Sequence, residues 1–339
     1  MTTEADAPLL TAGVEVTRAE ATAMLADAQS LLLYTHRNPD GDAVGGVTAL
    51  AAALRALGKD VTAICPDALP AYLLDVPGAP EIITGPETRS VDLTITIDVS
   101  DPSLLVPLAA SKPGFFLTRP SLNIDHHLSN ALYARHNLVD SSAAAATEII
   151  HDLIVALGVP LDRSLATALL YGIVNDTHSF QNSNTTPDTL QLSAQLVAAG
   201  ANLASIVFDL LLARSAASAR LWALVLPSLV FHDDERVAML TVSMAALDAA
   251  GATMTDADGL VEFLRNIRDV DLAVLFKETA RDVYRLSMRS TSAVDVTVIA
   301  GAFGGGGHRR AAGCDISAPI REAQAAVLAA YTGARQAAG

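Results

Sequence analysis

Cysteine is almost absent: Cys65 and Cys314 are the only two in 339 residues. A pair in what read as different domains argues against a disulfide framework or a thiolate metal site, and both are expected as core thiols. Charge is also scarce, at 17% of residues, and positive charge scarcer still, with 22 Lys and Arg against 37 Asp and Glu and a net charge of −15. Binding long nucleic acid requires a basic stripe that neutralises many phosphates, and none is present. Any polyanionic ligand must therefore be short, with metals or local arginines offsetting the field. No apolar stretch reaches the ~18 residues of a membrane span. The N-terminal "MTTEADAPLL" has neither the basic nor the apolar segment of a secretory leader. These absences predict a soluble, cytoplasmic protein with no membrane partner.

What the chain has is apolar bulk, 51% of residues, enough for two domains of ordinary size. Over the first two hundred residues, strand-like runs alternate with helix-like segments, as in a parallel α/β sheet. "LLLYTH" (31–36), "DVTAICP" (60–66), "DLTITIDVS" (92–100) and "SLNIDHH" (121–127) are the strands. "AVGGVTALAAALRALG" between the first two is apolar at helical spacing and ends at Gly58, a suitable left-handed stop. Further helices are expected near 142–157, 161–174, 187–199 and 202–222. Beyond 225 the pattern changes to two strand pairs, "SLVFHD" with "RVAMLTVSM" and "DLAVLFKE" with "DVYRLSMRS". A helix at "DVTVIAGAF", the run "GGGGHRRAAG", a strand around Cys314 and an Ala-rich helix follow. The predicted organisation is a Rossmann-like parallel-sheet domain over 1–200, a helical connector over 201–224, and a smaller mixed α+β domain over 225–339.

Ligands of an open parallel sheet bind outside the carboxyl ends of its strands. Three of the four strands end there in metal-binding residue types: His36, Asp40 and Asp42 after the first, Asp98 after the third, and Asp125, His126 and His127 after the fourth. Asp176 follows an apolar helix. A lone Asp after a strand is more often a turn or cap residue, and Asn-Pro-Asp-Gly is turn chemistry in itself. Four such carboxylates together would repel unless divalent cations offset them. Residues two apart on a helix diverge by about 200°, so Asp40 and Asp42 are expected in a loop kinked at Gly41, where they can hold neighbouring cations.

"HRNPDGDAVGG", "TIDVSD", "NIDHHLSN" and "YGIVNDTHSF", in this order, resemble the motifs of the DHH phosphoesterase superfamily. "LSMRS" and "DVTVIAGAFGGGGHRRAAG" resemble the DHHA1 domain of its oligoribonuclease/pAp-phosphatase branch, which includes stand-alone cyclic di-AMP phosphodiesterases. The resemblance spans roughly residues 25–335. It implies that His36, Asp40 and Asp98 hold one metal and that Asp42, Asp98, His126 and Asp176 hold another. It leaves His127 free to act on substrate phosphate or the leaving group, and has Asp125 orient an imidazole. Arg289, Ser290, Gly305, Gly306, His308 and Arg309 (or Arg310) become the substrate contacts. The implied cofactors are two divalent cations, Mn²⁺ before Mg²⁺. The implied activity is hydrolysis of oligoribonucleotides of a few residues, pAp, or cyclic or linear di-AMP to mononucleotides, by a homodimer. A manganese-dependent inorganic pyrophosphatase and a non-catalytic nucleotide- or RNA-binding module are the alternatives. Two departures bear on substrate choice: Gly46 where Ser is common, expected to weaken a phosphate contact, and His178 where Gly is common. His136, His151 and His232 have no such company and are expected in surface or packing roles. Trp222 and Tyr171 read as core or interdomain residues.

Overall fold

The computed structural model describes residues 13–85, 87, 89–106, 114–291 and 294–338. The chain divides between Ala213 and Arg214 into two compact units. The segment expected as a connector is shared between them.

In the first unit, strands β1 (Val14–Glu15), β2 (Ser30–Tyr34), β3 (Asp60–Cys65), β4 (Ile83–Thr84), β5 (Leu93–Ile97), β6 (Ser121–Asp125) and β7 (His136–Val139) form one sheet in the order β1-β7-β6-β5-β2-β3-β4. Every neighbouring pair is parallel. The central strands lack an apolar–polar alternation because both faces are covered: all five residues of β5 and of β6 are buried. The order runs outward in opposite directions from β2 and β5, so the topological switch lies between these two strands. That crevice is where an open α/β sheet binds its ligand.

The helices of this unit are α1 (Arg18–Asp27), α2 (Gly41–Ala56), α3 (Phe115–Thr118), α4 (Ala146–Ala156), α5 (Arg163–Asp176), α6 (Pro187–Ala198) and α7 (Leu203–Val207). Helix α2 begins one residue earlier than a loop kinked at Gly41 allows, which corrects that expectation. Asp40 is the N-cap, its carboxylate accepting from the amides of Asp42 (3.0 Å) and Ala43 (3.1 Å). Its backbone is extended, so Asp40 lies off the helical wheel that carries Asp42, and the 200° objection does not apply. The helix stops where Gly58 takes φ +81°, as its glycine predicts. Helix α2 is buried between neighbours, and a Cβ on Gly45 would stand 2.3 Å from the Ala168 carbonyl oxygen of α5.

The second unit holds α8 (Ala216–Val225), α9 (Met244–Ala250), α10 (Leu260–Arg265), α11 (Val296–Gly301) and α12 (Ile320–Ala338). Its strands are β8 (Val230–His232), β9 (Val237–Val242), β10 (Leu272–Ala280), β11 (Val283–Ser290), β12 (Gly306–His308) and β13 (Ala311–Ser317), in the order β12-β13-β11-β10-β9-β8. Only β9 and β10 pair in parallel. The glycine run contributes the edge strand β12, which composition alone did not suggest. Tyr284, Leu286 and Met288 face the core under α11 and α12, while Leu240 and Leu275 face that under α8–α10. Among the described residues, no single helix is long and apolar enough to cross a membrane. One bent pair passes by composition, yet Leu196 and Ile206 of that pair belong to the core of the first unit.

Candidate active site

The switch-point crevice gathers the residues from all four segments. His36 Nε2 is 3.4 Å from Asp98 Oδ2, and His36, Asp40 and Asp98 form one close group. Asp42, His126 and Asp176 form a second, with His126 Nε2 3.0 Å from Asp176 Oδ2 and 4.0 Å from Asp42 Oδ2. Asp98 belongs to the first group and reaches the second, its Oδ1 lying 3.6 Å from His126 Nε2. It also joins Asp125, His126 and His127 in a third grouping. Asp98 is 3% exposed and sits at φ +58°, a left-handed backbone directly after β5.

Asp98 Oδ1 is buried without a hydrogen-bond partner, and His126 Nε2, also buried, lies among three carboxylates with no well-aligned hydrogen bond to any. A buried carboxylate oxygen left unpaired beside that imidazole is costly, and a cation among these groups would relieve it. The electrostatics agree. Burial and Asp176 push the Asp42 carboxyl up to about 7. Burial and Asp176 likewise raise Asp40, and burial with Asp42 and Asp40 raises Asp98 well above the carboxylate range. Burial opposes a charged His126, but Asp176 and Asp42 outweigh it and push the imidazole up to about 9. In the absence of cations the cluster favours protons, which divalent cations would replace. These oxygen-rich groups with two imidazoles fit a hard or borderline cation such as Mn²⁺ or Mg²⁺, and the cluster can bind metal.

The support of Asp42 was not visible in the sequence. Its Oδ2 accepts from the Ala146 amide (2.6 Å), and its Oδ1 from the Thr147 amide (3.0 Å) and hydroxyl (2.8 Å). The N-terminus of α4, legible only as an alanine run, therefore holds a buried carboxylate. Asp125, 0% exposed, accepts at Oδ1 from the His126 amide (2.8 Å) and from the ring of His127 at Nδ1 (2.8 Å). The imidazole it orients is that of His127. This contact, against the cost of burial, raises His127, while hydrogen bonds hold Asp125 below the carboxylate range despite its burial.

The two departures resolve differently. A Cβ at Gly46 would meet Ile97 at 2.8 Å and Ile150 at 2.9 Å, so this position faces the apolar core and the expected loss of a phosphate contact there does not hold. His178 begins three successive left-handed residues, with Ser179 and Phe180, immediately after Asp176 and Thr177. Glycine adopts that backbone without strain. The turn is fastened by Asn182 and Asn184, whose amides donate to the Asp176 carbonyl at 2.9 and 3.3 Å.

In the second unit, an open cleft of about 580 Å³ lies on the solvent face of β11 and β13. Arg285, Ser287 and Arg289 line it with Gly305, Gly306 and Gly313. Gly305 is obligatory, since a Cβ would stand 2.2 Å from the Gly313 carbonyl oxygen, whereas one on Gly306 meets nothing within 4 Å. Arg289 Nε donates to Glu262 at 3.1 Å. Ser290 is 3% exposed with its hydroxyl donated to the Val294 carbonyl (2.7 Å), so its side chain braces the following loop and is not offered to solvent. Arg309 and Arg310 are exposed in the β12–β13 turn. The backbone of His308 ends β12, and its side chain lies outside the described residues.

Elsewhere, His136 Nδ1 lies 3.2 Å from the Ser121 carbonyl oxygen and His151 Nδ1 3.3 Å from Asp152, in packing and surface roles. Tyr171 is buried and donates to Asp209 at 3.1 Å, and Trp222 packs on Phe263. Both cysteines are buried free thiols, each pushed up to about 11 chiefly by burial.

Carboxylates this crowded are relieved either by protons or by cations, and their grouping with two imidazoles marks a candidate metal centre. Residues 30–173 match the DHH family N-terminal domain and residues 236–332 the DHHA1 domain. The chain is 33% identical over 287 residues to the bifunctional oligoribonuclease and PAP phosphatase NrnA of Thermus thermophilus, across 84% of each chain. It is 29% identical over 299 residues to the Mycoplasma pneumoniae protein of the same name, across 87% of this chain and 90% of that one. The crystal structure of an exopolyphosphatase-related protein from Bacteroides fragilis superposes with a TM-score of 0.85 at 21% identity, over 94% of this chain and 96% of the other. The chain belongs to the DHH family and carries a DHHA1 domain. Members of that family are metal-dependent phosphoesterases.

Proposed function

We propose that the protein is a two-metal phosphoesterase hydrolysing short nucleotide substrates to mononucleotides: oligoribonucleotides of a few residues, 3′-phosphoadenosine 5′-phosphate, and cyclic or linear di-AMP. The observation that carries this reading is the position of Asp98 between His36 and Asp40 on one side and His126 on the other. In this reading His36, Asp40 and Asp98 hold one cation, and Asp42, Asp98, His126 and Asp176 hold the second, with Mn²⁺ preferred over Mg²⁺. Bound there, paired cations supply Lewis-acid activation of water and neutralisation of phosphoryl charge.

The remaining chemistry belongs to the chain. His127 is held at Nδ1 by Asp125, and its side chain is 43% exposed. The Asp125 contact at Nδ1 favours the imidazolium, whose Nε2–H would pass its proton to the leaving oxygen while Nδ1–H stays on Asp125. The cleft suits a phosphate through its guanidinium groups, Arg285 and Arg289, while the glycines keep it open and the Gly304 and Gly305 amides are spent on the Gly301 and Ala300 carbonyls. Gly305, Gly306, Arg289 and the turn of His308, Arg309 and Arg310 form this grip, and Ser290 shapes it from beneath. The names of the curated relatives support the same substrate class. The family resemblance supports a homodimer, which light scattering on the purified chain tests, and the lack of an apolar span in the sequence supports a cytoplasmic location, which fractionation tests.

The experiment is product analysis with pAp, linear di-AMP, a short oligoribonucleotide and pyrophosphate, each with and without Mn²⁺. Release of AMP from the nucleotides, dependent on metal, is expected. Cleavage of pyrophosphate alone would transfer the assignment to the pyrophosphatase alternative, and nucleotide binding without turnover would transfer it to the non-catalytic one.

A further inference from the structure

We infer that Asn130 is a positioning residue for His127, acting through Asp125, with Asn123 as its anchor in the sheet. This rests on the phosphoesterase reading only in assigning His127 to the reacting phosphate.

The case begins with Asp125. Its Oδ1 already accepts three donors: the amides of His126 (2.8 Å) and His127 (3.3 Å) and the His127 ring at Nδ1 (2.8 Å). Its Oδ2 accepts from the Asn130 side-chain amide. Among the described residues no other side chain reaches Oδ2, so Asn130 fixes the second oxygen and completes the hold on a carboxylate whose first oxygen rests on the two backbone amides. The Asn130 amide is itself fixed at both ends. Its oxygen accepts from the Leu132 amide at 2.8 Å, where Leu132 takes φ +49°, and its nitrogen donates to Asn123 Oδ1 at 2.8 Å. Turning it over would bring oxygen against oxygen at both Asp125 and Asn123.

Asn123 is 0% exposed and donates to Thr96 Oγ1 (2.8 Å) and the Val99 carbonyl (3.1 Å), and the Tyr133 hydroxyl donates to the same Thr96 oxygen (2.8 Å). A hydrogen-bonded chain thus runs from the interior of β5 and β6 through Asn123, Asn130 and Asp125 to one ring nitrogen of His127. A buried polar chain with every member satisfied fixes orientation far better than a lone pair at the surface does.

The chain has something to prevent. His127 Nδ1 is also 3.5 Å from Asp98 Oδ1, the orphaned oxygen at the centre of the cluster. If Asp125 were free to rotate, the imidazole could turn to Asp98, occupying an oxygen meant for a cation and pointing its reactive nitrogen elsewhere. Asn130 keeps His127 on Asp125 and so keeps Asp98 open.

The test is kinetic and spectroscopic on the full, metal-loaded chain. Asn130→Ala is expected to lower kcat for pAp or linear di-AMP about 10- to 100-fold, a share of what a positioned proton donor supplies, with KM within about twofold. In a His127→Ala background the same substitution is expected to change kcat less than about twofold, because its target is gone. Asn130→Asp, equal in size but presenting a carboxylate to Asp125, is expected to be no better than Ala. Nitrogen-15 spectra of histidine-labelled, Mg²⁺-loaded protein, with His127 assigned by its loss in His127→Ala, should show an Nδ1–H ring in wild type whose signals shift in Asn130→Ala.

Equal loss of activity in both backgrounds, wild-type kcat in Asn130→Asp, or an unchanged His127 ring in Asn130→Ala would overturn the inference. The ring signals do not depend on turnover. If the wild type cleaved none of the nucleotides while the His127 ring still responded to Asn130→Ala, the phosphoesterase reading would fail and the positioning would stand.

Discussion

The first unit buries its charge, whereas the second leaves its charge at the rim of an open cleft. Asp42, Asp98 and Asp125 are essentially inaccessible, and Asp42 and Asp125 are held by backbone amides that cannot move independently. Arg285 and Arg289 instead pair with Asp315 and Glu262 while still partly solvated. Burial magnifies every interaction in the cluster, favourable or not, and solvent screens those in the cleft. Substitutions in the first unit should therefore act on turnover, and those in the second on capture.

The largest effect is expected from Asp98→Ala. It removes the carboxylate that faces both ligand groups, and kcat at saturating Mn²⁺ should fall at least about 10³-fold. A variant within tenfold of wild type would break the comparison. Gly172→Ala comes next, since its Cβ would stand 2.3 Å from both Asp42 Oδ1 and Thr147 Oγ1. Calorimetric or denaturant stability should drop by about 1–3 kcal/mol, and activity should fall with it as Asp42 is displaced. Arg289→Ala should raise KM about tenfold with kcat nearly unchanged, the loss of one charge-assisted contact. If kcat fell instead, the cleft would have to share in the chemistry.

A subtler prediction concerns pH. In the metal-free chain the folded-state pKa of Asp42 is raised from its ordinary range to about 7. Ionising it in the folded state is therefore unfavourable, and the metal-free fold loses stability as pH climbs from about 4 to 7. Cations bind the ionised form, so the thermal shift produced by Mn²⁺ should grow between pH 5 and 7.5. A shift that shrinks over that range would contradict the burial of this charge. Smallest of all is Gly306→Ala, with nothing within 4 Å to meet. Stability should stay within about 0.5 kcal/mol of wild type, which contrasts with Gly172→Ala.

The contrast also explains which features were legible. The strands and the ligand set could be read because apolar runs such as "LLLYTH" and "TITIDVS" break off abruptly into histidine and aspartate. Gly58 and the strand pairs of the second unit were legible by their turn chemistry. Backbone donors were not: nothing in "SSAAAATE" announces that the amides of Ala146 and Thr147 grip Asp42. The role of Asp40 as a cap was concealed because the same residue type serves a turn, a cap and a metal. Gly46 was placed beside the phosphate by motif position, when its neighbours are Ile97 and Ile150. Asn123 and Asn130 stand at either end of "NIDHHLSN", and an asparagine near a turn carries no distinguishing signal in sequence even when its amide is set against a carboxylate.

The measurement that goes furthest is an anomalous difference map from crystals of the Mn²⁺-loaded protein. Two peaks are predicted, one ligated by His36 and Asp40, the other by Asp42, His126 and Asp176, with Asp98 contributing to both. A single peak, or two peaks that leave Asp98 uncoordinated, would contradict the account.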